Sequence, residues 1–226
     1  MAKLPGGELS NRPLHFFWIA DCSGSMFGEK IASLNYAIRD VIPSMREAAK
    51  ANPNAQLLIR ALKFSTGATW LTNKPINVED YEWEDLEADG LTEMGKAFNL
   101  LADQLTMPPM PERALPPVLV LLSDGQPTDV YTPGLKRLKE LPWGKKAVKV
   151  AISIGNDAIL DMLEEFTGNR ELVLNAKNSA DLVNMIKWAS TLAKQVSSPA
   201  SKVSGEDPII IDLNTIPKSS DDGEIW

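Results

Sequence analysis

The chain carries almost no thiol or imidazole chemistry: one cysteine, Cys22, and one histidine, His15, in 226 residues. A single cysteine excludes an internal disulfide and fits a reducing, cytosolic compartment. A lone histidine leaves no His-rich set of the kind that holds zinc or copper. Long hydrophobic runs are also missing. The stretch Phe16–Ala20 is far shorter than the roughly 20 residues a spanning helix needs. Met1–Arg12 has no apolar segment of signal-peptide type. The expectation is an unexported protein without membrane insertion. Positive charge is not in excess either. The net charge is −7, which disfavours a phosphate backbone as partner, so no nucleic acid is expected.

Apolar residues make up 44% of the chain and charged residues 23%, enough for one sizeable α/β domain with an added segment. Leu14–Ala20 reads as a strand buried on both faces, and Val118–Leu122 as a second and clearer one. Ala55–Phe64 and Thr69–Leu71 read as further strands, as do Ala147–Ile154 and Glu171–Leu174. Between them, apolar residues recur at helical spacing over Glu29–Ala51, Thr92–Leu105, Pro133–Leu141, Ala158–Thr167 and Ser179–Val196. Pro43 is expected to kink or interrupt the first of these helices, because it has no N–H to donate. Strands alternating with helices predict a mostly parallel central sheet with helices on both faces.

Three segments fall outside this alternation. Residues 79–89 hold seven acids and two aromatics and read as a loop. Residues 107–117 are rich in Pro and Met and read as an irregular connection. Residues 197–226 hold six acids against two lysines. Composition there favours a disordered linker, yet Pro208–Leu213 has the pattern of a strand and Ile225–Trp226 is an apolar end. Docking of the tail on its own domain or on a neighbour is the alternative. The division is therefore an N-terminal extension over 1–12, a domain over 13–196 and an acidic tail over 197–226.

Enzymes find little support. A Ser–His–Asp hydrolase needs a base beside its nucleophile, but His15 is the only histidine and no G-x-S-x-G elbow exists. A Cys-based phosphatase needs an Arg-closed loop after Cys22, and the next arginine is Arg39. For an aspartyl-phosphate enzyme built on Asp21, the second carboxylate is replaced by Ser23. G-x-G-x-x-G is absent after the first strand. Metal-assisted hydrolysis lacks a positioned general base. A binding protein, not an enzyme, is expected.

What remains is oxygen chemistry at strand ends, where open α/β sheets bind ligands. The first strand ends in Asp21-Cys22-Ser23-Gly24-Ser25 and the later one in Ser123-Asp124-Gly125; Gly90–Gly95 opens the helix between them. Asp21 and Asp124 offer carboxylates, and Ser23, Ser25 and Thr92 offer hydroxyls. Such a set suits a hard divalent cation, Mg²⁺ first, with Mn²⁺ or Ca²⁺ as alternatives. In an extended D-x-S-x-S stretch alternate side chains share one side, so Cys22 points away toward the core. Either aspartate alone is more simply a helix N-cap; the five positions together favour a metal site. His15, within a buried-strand pattern, reads as structural.

This pattern resembles the metal-ion-dependent adhesion site (MIDAS) of von Willebrand factor A (VWA) domains. There D-x-S-x-S ends the first strand, a middle loop supplies Thr, and a later strand ends in Asp. The resemblance spans about residues 13–196 and implies a Rossmann-like fold. It also implies that Ser23, Ser25 and Thr92 coordinate the metal directly or through water. Asp21 and Asp124 then act mainly through waters and hydrogen bonds. A protein partner would donate an Asp or Glu. Leu91 departs from the family, where Gly is common. Ser123–Asp129 is similar to the TerY type of bacterial, tellurite-resistance-associated VWA proteins. That implies a cytosolic stress- or phage-response system with a kinase or phosphatase as possible partner. Phosphorylation near the site is the alternative mode of regulation.

Overall fold

The strand Arg12–Asp21 (β1) is buried from Leu14 to its end, so it must lie inside a sheet covered on both faces. In the computed structural model, which describes residues 12–52, 55–155, 160–197 and 211–219, β1 runs parallel to Ala55–Ser65 (β2) on one side and Val118–Ser123 (β5) on the other. The sheet continues through Val148–Ile154 (β6) and Val173–Ala176 (β7), both parallel. On the other side of β2, Gly67–Trp70 (β3) and Ile76–Asn77 (β4) pair with it antiparallel. The order is β3-β2-β1-β5-β6-β7, the mostly parallel α/β sheet expected from the sequence.

Period-two alternation along β1 sorts its side chains between two cores. Phe16, Trp18 and Ala20 face Glu29–Lys50 (α1) and Ser179–Ser197 (α6). Phe17 and Ile19 face Met94–Gln104 (α2), Thr132–Glu140 (α3) and Leu160–Thr167 (α5). A short helix, Pro142–Lys146 (α4), adds Trp143 to that second core. Neither α4 nor β4 was foreseen, because β4 has only two residues and α4 is a single turn directly after α3. The expected strand at Glu171–Leu174 begins later, as Arg170–Leu172 forms a 3₁₀ turn before β7.

Pro43 does not interrupt α1, which is one helix of 22 residues. The missing bond and ring clash cost about 3 kcal/mol. Ile31, Leu34, Ile38, Val41, Ile42 and Met45 are buried on that helix, each contributing about 1.5–3 kcal/mol. Burial wins. The acidic stretch is a loop, as expected, with a simple logic. Tyr81, Trp83 and Leu86 point inward while Glu82, Glu84, Asp85 and Glu87 stay in water. Asn35 of α1 pins it, accepting from Trp83 Nε1 at 3.0 Å and from the Leu86 N–H at 2.9 Å.

Part of the tail docks. Ile211 and Ile216 pack against the core beneath α1 and α6. Trp188 Nε1 donates to Thr215 Oγ1 at 3.0 Å, and Ser219 Oγ donates to Asp181 Oδ2 at 2.8 Å. The expected strand is corrected where it can be seen: Leu213–Thr215 is a 3₁₀ turn, capped by the Asp212 carboxylate. Its first residues, 208–210, lie outside the described residues, as do Ile225–Trp226 and residues 1–11. Truncation after Ser197 should lower the unfolding free energy by about 1–3 kcal/mol, since two isoleucines lose partial burial. An unchanged urea midpoint would count against docking.

His15 is buried, in keeping with its place in a buried-strand pattern. It stacks on Phe17 at 5.9 Å. Burial pushes its pKa from 6.5 down to about 4. Between those values the unfolded chain binds more protons, so His15 costs stability as pH falls from 6.5 toward 4. The loss reaches about 3 kcal/mol. Urea titrations of wild type and His15→Phe at pH 7 and 4.5 should show a smaller acid loss in the variant; parallel losses would rule the assignment out.

Candidate metal centre

The site is set by where the crossovers part. After β1 the chain turns to α1 on one face; after β5 it turns to α3 on the other. Adjacent parallel strands whose connections diverge leave a crevice at their carboxyl ends. Ala20 pairs with Leu122, so Asp21 and Ser123 stand side by side at that crevice.

Asp21 is fully buried. Its Oδ1 accepts from the Ser23 N–H at 2.8 Å and its Oδ2 from Ser123 Oγ at 2.6 Å. Burial pushes its carboxyl up to about 6, although the hydrogen bonds from Ser123 and Ser23 hold it down; nearby Asp124 adds to the upward push. The following residues make a 3₁₀ turn, Gly24–Met26, anchored by buried Met26. Gly28 then starts α1 at φ +86°, where any side chain would be strained. Neither Asp21 nor Asp124 is the N-cap of the helix that follows it; those positions are Gly28 for α1 and Tyr131 for α3. Cys22 turns inward as expected, its thiol donating to the Phe64 carbonyl at 3.3 Å.

The hydroxyls converge between the aspartates. Ser23 Oγ and Ser25 Oγ are 3.1 Å apart, and Ser25 Oγ donates to Asp124 Oδ1 at 2.7 Å. Thr92 arrives from the far end of the acidic loop, which is tied down by Gly24 N–H to the Gly90 carbonyl at 3.0 Å and Asp89 N–H to the Cys22 carbonyl at 2.9 Å. Thr92 sits before α2, which starts at Met94 and not at Thr92 as its sequence suggested. A methyl placed on Gly125 would lie 3.6 Å from Ser25 Oγ and 3.7 Å from Thr92 Oγ1. Asp21, Ser23, Ser25 and Asp124 are thus joined through the hydrogen bonds of one loop, and Thr92 lies beside them across Gly125.

Four neighbours were missed as site residues. Ser123 orients Asp21. Lys30, in the first turn of α1, donates to Asp124 Oδ2 at 2.7 Å. Thr128 accepts from the Thr92 N–H at 3.1 Å and donates its own N–H to the Thr92 carbonyl at 2.9 Å. Asp129 caps α2 through Gly95 and Lys96 N–H groups at 2.9 and 3.1 Å. Ser123, Thr128 and Asp129 lie within the Ser123–Asp129 stretch that stood out in the sequence; Lys30 had no signal beyond its place at a helix start.

Among the described residues no three His, Cys, Asp or Glu side chains gather as a metal-binding group. This centre has two carboxylates and draws its other donors from hydroxyls. All-oxygen donors of that kind fit a hard divalent cation that keeps several waters. Lys30 pairs with Asp124 and balances its charge.

No family model matches the chain, and a search of curated proteins finds no match. Solved structures do match. A von Willebrand factor type A protein from Catenulispora acidiphila superposes at TM-score 0.63 with 14% identity, over 82% of this chain and 43% of its own. Proximal thread matrix protein 1 of the mussel byssus, in a structure described as having a zinc-occupied MIDAS motif, matches at 0.59 with 18% identity, over 83% and 47%. The ArnB paralog VWA2 from Sulfolobus acidocaldarius matches at 0.56 with 19% identity, over 79% and 45%. The fold is therefore that of VWA domains, and this chain spans less than half the length of each of these neighbours.

The Lys30–Asp124 pair is testable without any cation. The Asp124 side chain is 1% exposed and that of Lys30 24%. Lys30→Met leaves a buried carboxylate short of its charged donor, which should cost about 1–3 kcal/mol. Urea unfolding in EDTA should show it, with Lys30→Arg losing less; equal midpoints for all three proteins would mean the pair is incidental.

Proposed function

We propose that the chain is a metal-dependent protein-interaction module whose MIDAS-type centre holds one divalent cation, Mg²⁺ first among candidates. The observation that carries this is the hydroxyl cluster of Ser23, Ser25 and Thr92 between the carboxylates of Asp21 and Asp124. Hydroxyl oxygens are neutral ligands. Asp21 accepts from the Ser23 N–H and Asp124 from the Ser25 hydroxyl, which fixes the serine loop between them. A cation bound this way keeps most of its charge and offers a Lewis-acidic position to an outside carboxylate. An Asp or Glu of a protein partner supplies that ligand.

A binding role is favoured over catalysis because the carboxylates of Asp21 and Asp124 are engaged by hydrogen bonds from Ser23, Ser123, Ser25 and Lys30, and the one histidine lies far from them. His15 precedes Asp21 by six residues on the same strand, about 20 Å away at the usual rise, and both ring nitrogens are buried without a hydrogen-bond partner. Among the described residues no helix is long and apolar enough to cross a membrane. Placement in a bacterial cytosolic tellurite-resistance, stress or phage-response set, with a kinase or phosphatase as partner, is supported by the likeness over Ser123–Asp129. The domain proper is read as residues 13–196.

Calorimetric titration with Mg²⁺ should give saturable, one-site binding in the wild type, lost in Asp21→Ala and Ser23→Ala. Cation at 100 times its Kd should add about 2.7 kcal/mol of stability. Absence of Mg²⁺, Mn²⁺ and Ca²⁺ binding by the wild type would end this reading.

A further inference from the structure

Six large apolar side chains are exposed among the described residues, and three of them sit on the three loops that build the candidate centre. Phe27, 80% exposed, follows Ser25 by two residues. Leu91, 53% exposed, directly precedes Thr92. Val130, 78% exposed, follows Thr128 and Asp129. The backbone beneath them is fixed. Met26 is buried next to Phe27, the Leu91 N–H donates to Thr66 Oγ1 at 3.0 Å, and the Val130 carbonyl would lie 2.7 Å from a methyl on Gly95. Single exposed hydrophobics need no explanation. Here one lies on each of the three site loops, within two residues of a residue already placed at the centre, and large exposed apolar side chains so placed suit an interaction surface.

We infer that Phe27, Leu91 and Val130 select a protein partner that presents one Asp or Glu flanked by large apolar side chains. This rests on the cation reading above and adds the partner's chemistry. Charge decides against an acidic run as the ligand. The chain carries a net charge of −7, and its acid-rich loop 79–89 leads into the centre at Asp89, so repeated carboxylates are repelled. A single carboxylate meets the positive cation, while its apolar neighbours cover Phe27, Leu91 and Val130 and exclude water from the ionic contact, which strengthens it.

The test uses the whole chain and three blocked pentapeptides, with aspartate between leucines, between glycines or between glutamates. Binding is followed by NMR titration in Mg²⁺ and again in EDTA. In Mg²⁺ the leucine-flanked peptide should bind about tenfold or more tightly than the glycine-flanked one, and the glutamate-flanked one no better than glycine. The combined variant Phe27→Ser, Leu91→Ser and Val130→Ser should lose the leucine preference and keep Mg²⁺ affinity. Equal affinity for leucine and glycine contexts overturns the inference, as does preference for the acidic peptide or failure of the leucine peptide to bind. A leucine preference that survives EDTA overturns the coupling to the cation. Failure of the wild type to bind any cation overturns the reading beneath it, and this is measured separately by calorimetry.

Discussion

The hydrogen bond from Ser123 Oγ to the buried carboxylate of Asp21 is the contact on which the site depends. It joins the ends of two parallel strands whose crossovers leave on opposite faces. Because Asp21 also accepts from the Ser23 N–H, one carboxylate fixes both the strand pair and the first bend of the loop beyond it. Everything further out is positioned from there: Ser23 against Ser25, Ser25 against Asp124, and Asp124 against Lys30. Burial makes this carboxyl harder to ionise, and its donors only partly offset that. The polar network therefore stands on a group held in an environment that resists its charge, so its geometry depends on each donor staying in place.

Much of the molecule was legible because it follows from period. Buried runs such as Val118–Leu122 are strands wherever both faces are covered, and the 3.6-residue repeats gave α1, α2, α3, α5 and α6 to within a few residues at each end. Asp21, Ser23, Ser25 and Asp124 stand at the end of β1 and in the turns after β1 and β5, where the buried strand runs placed them; Thr92, in the loop before α2, was joined to them through the family likeness. Illegible features were of two kinds. β4 has only two residues, and α4 is a single turn directly after α3, so neither shows a period of its own. Side-chain partnerships across distant sequence, such as Lys30 with Asp124 or Asp129 with the start of α2, depend on tertiary placement that spacing alone does not reveal.

Pro43 and the tail show propensity yielding to context. The helix rule for proline is a local penalty, and α1 buries enough apolar surface to exceed it. The tail composition favours disorder, yet Ile211, Ile216 and the Trp188–Thr215 bond give residues 211–219 a place on the domain. In both cases a few buried contacts decided the outcome.

The strand order has one more consequence. The longest strands, β1 with ten residues and β2 with eleven, lie inside the sheet, while the ends of the order are β3 and β7 with four each. Short edges give an incoming strand few free backbone groups to zip onto, which limits both fibre-like stacking and capture of extended peptides by sheet extension. Backbone-to-backbone annexation is thus a poor route onto this domain. Contact is left to side chains and to the tips of the loops.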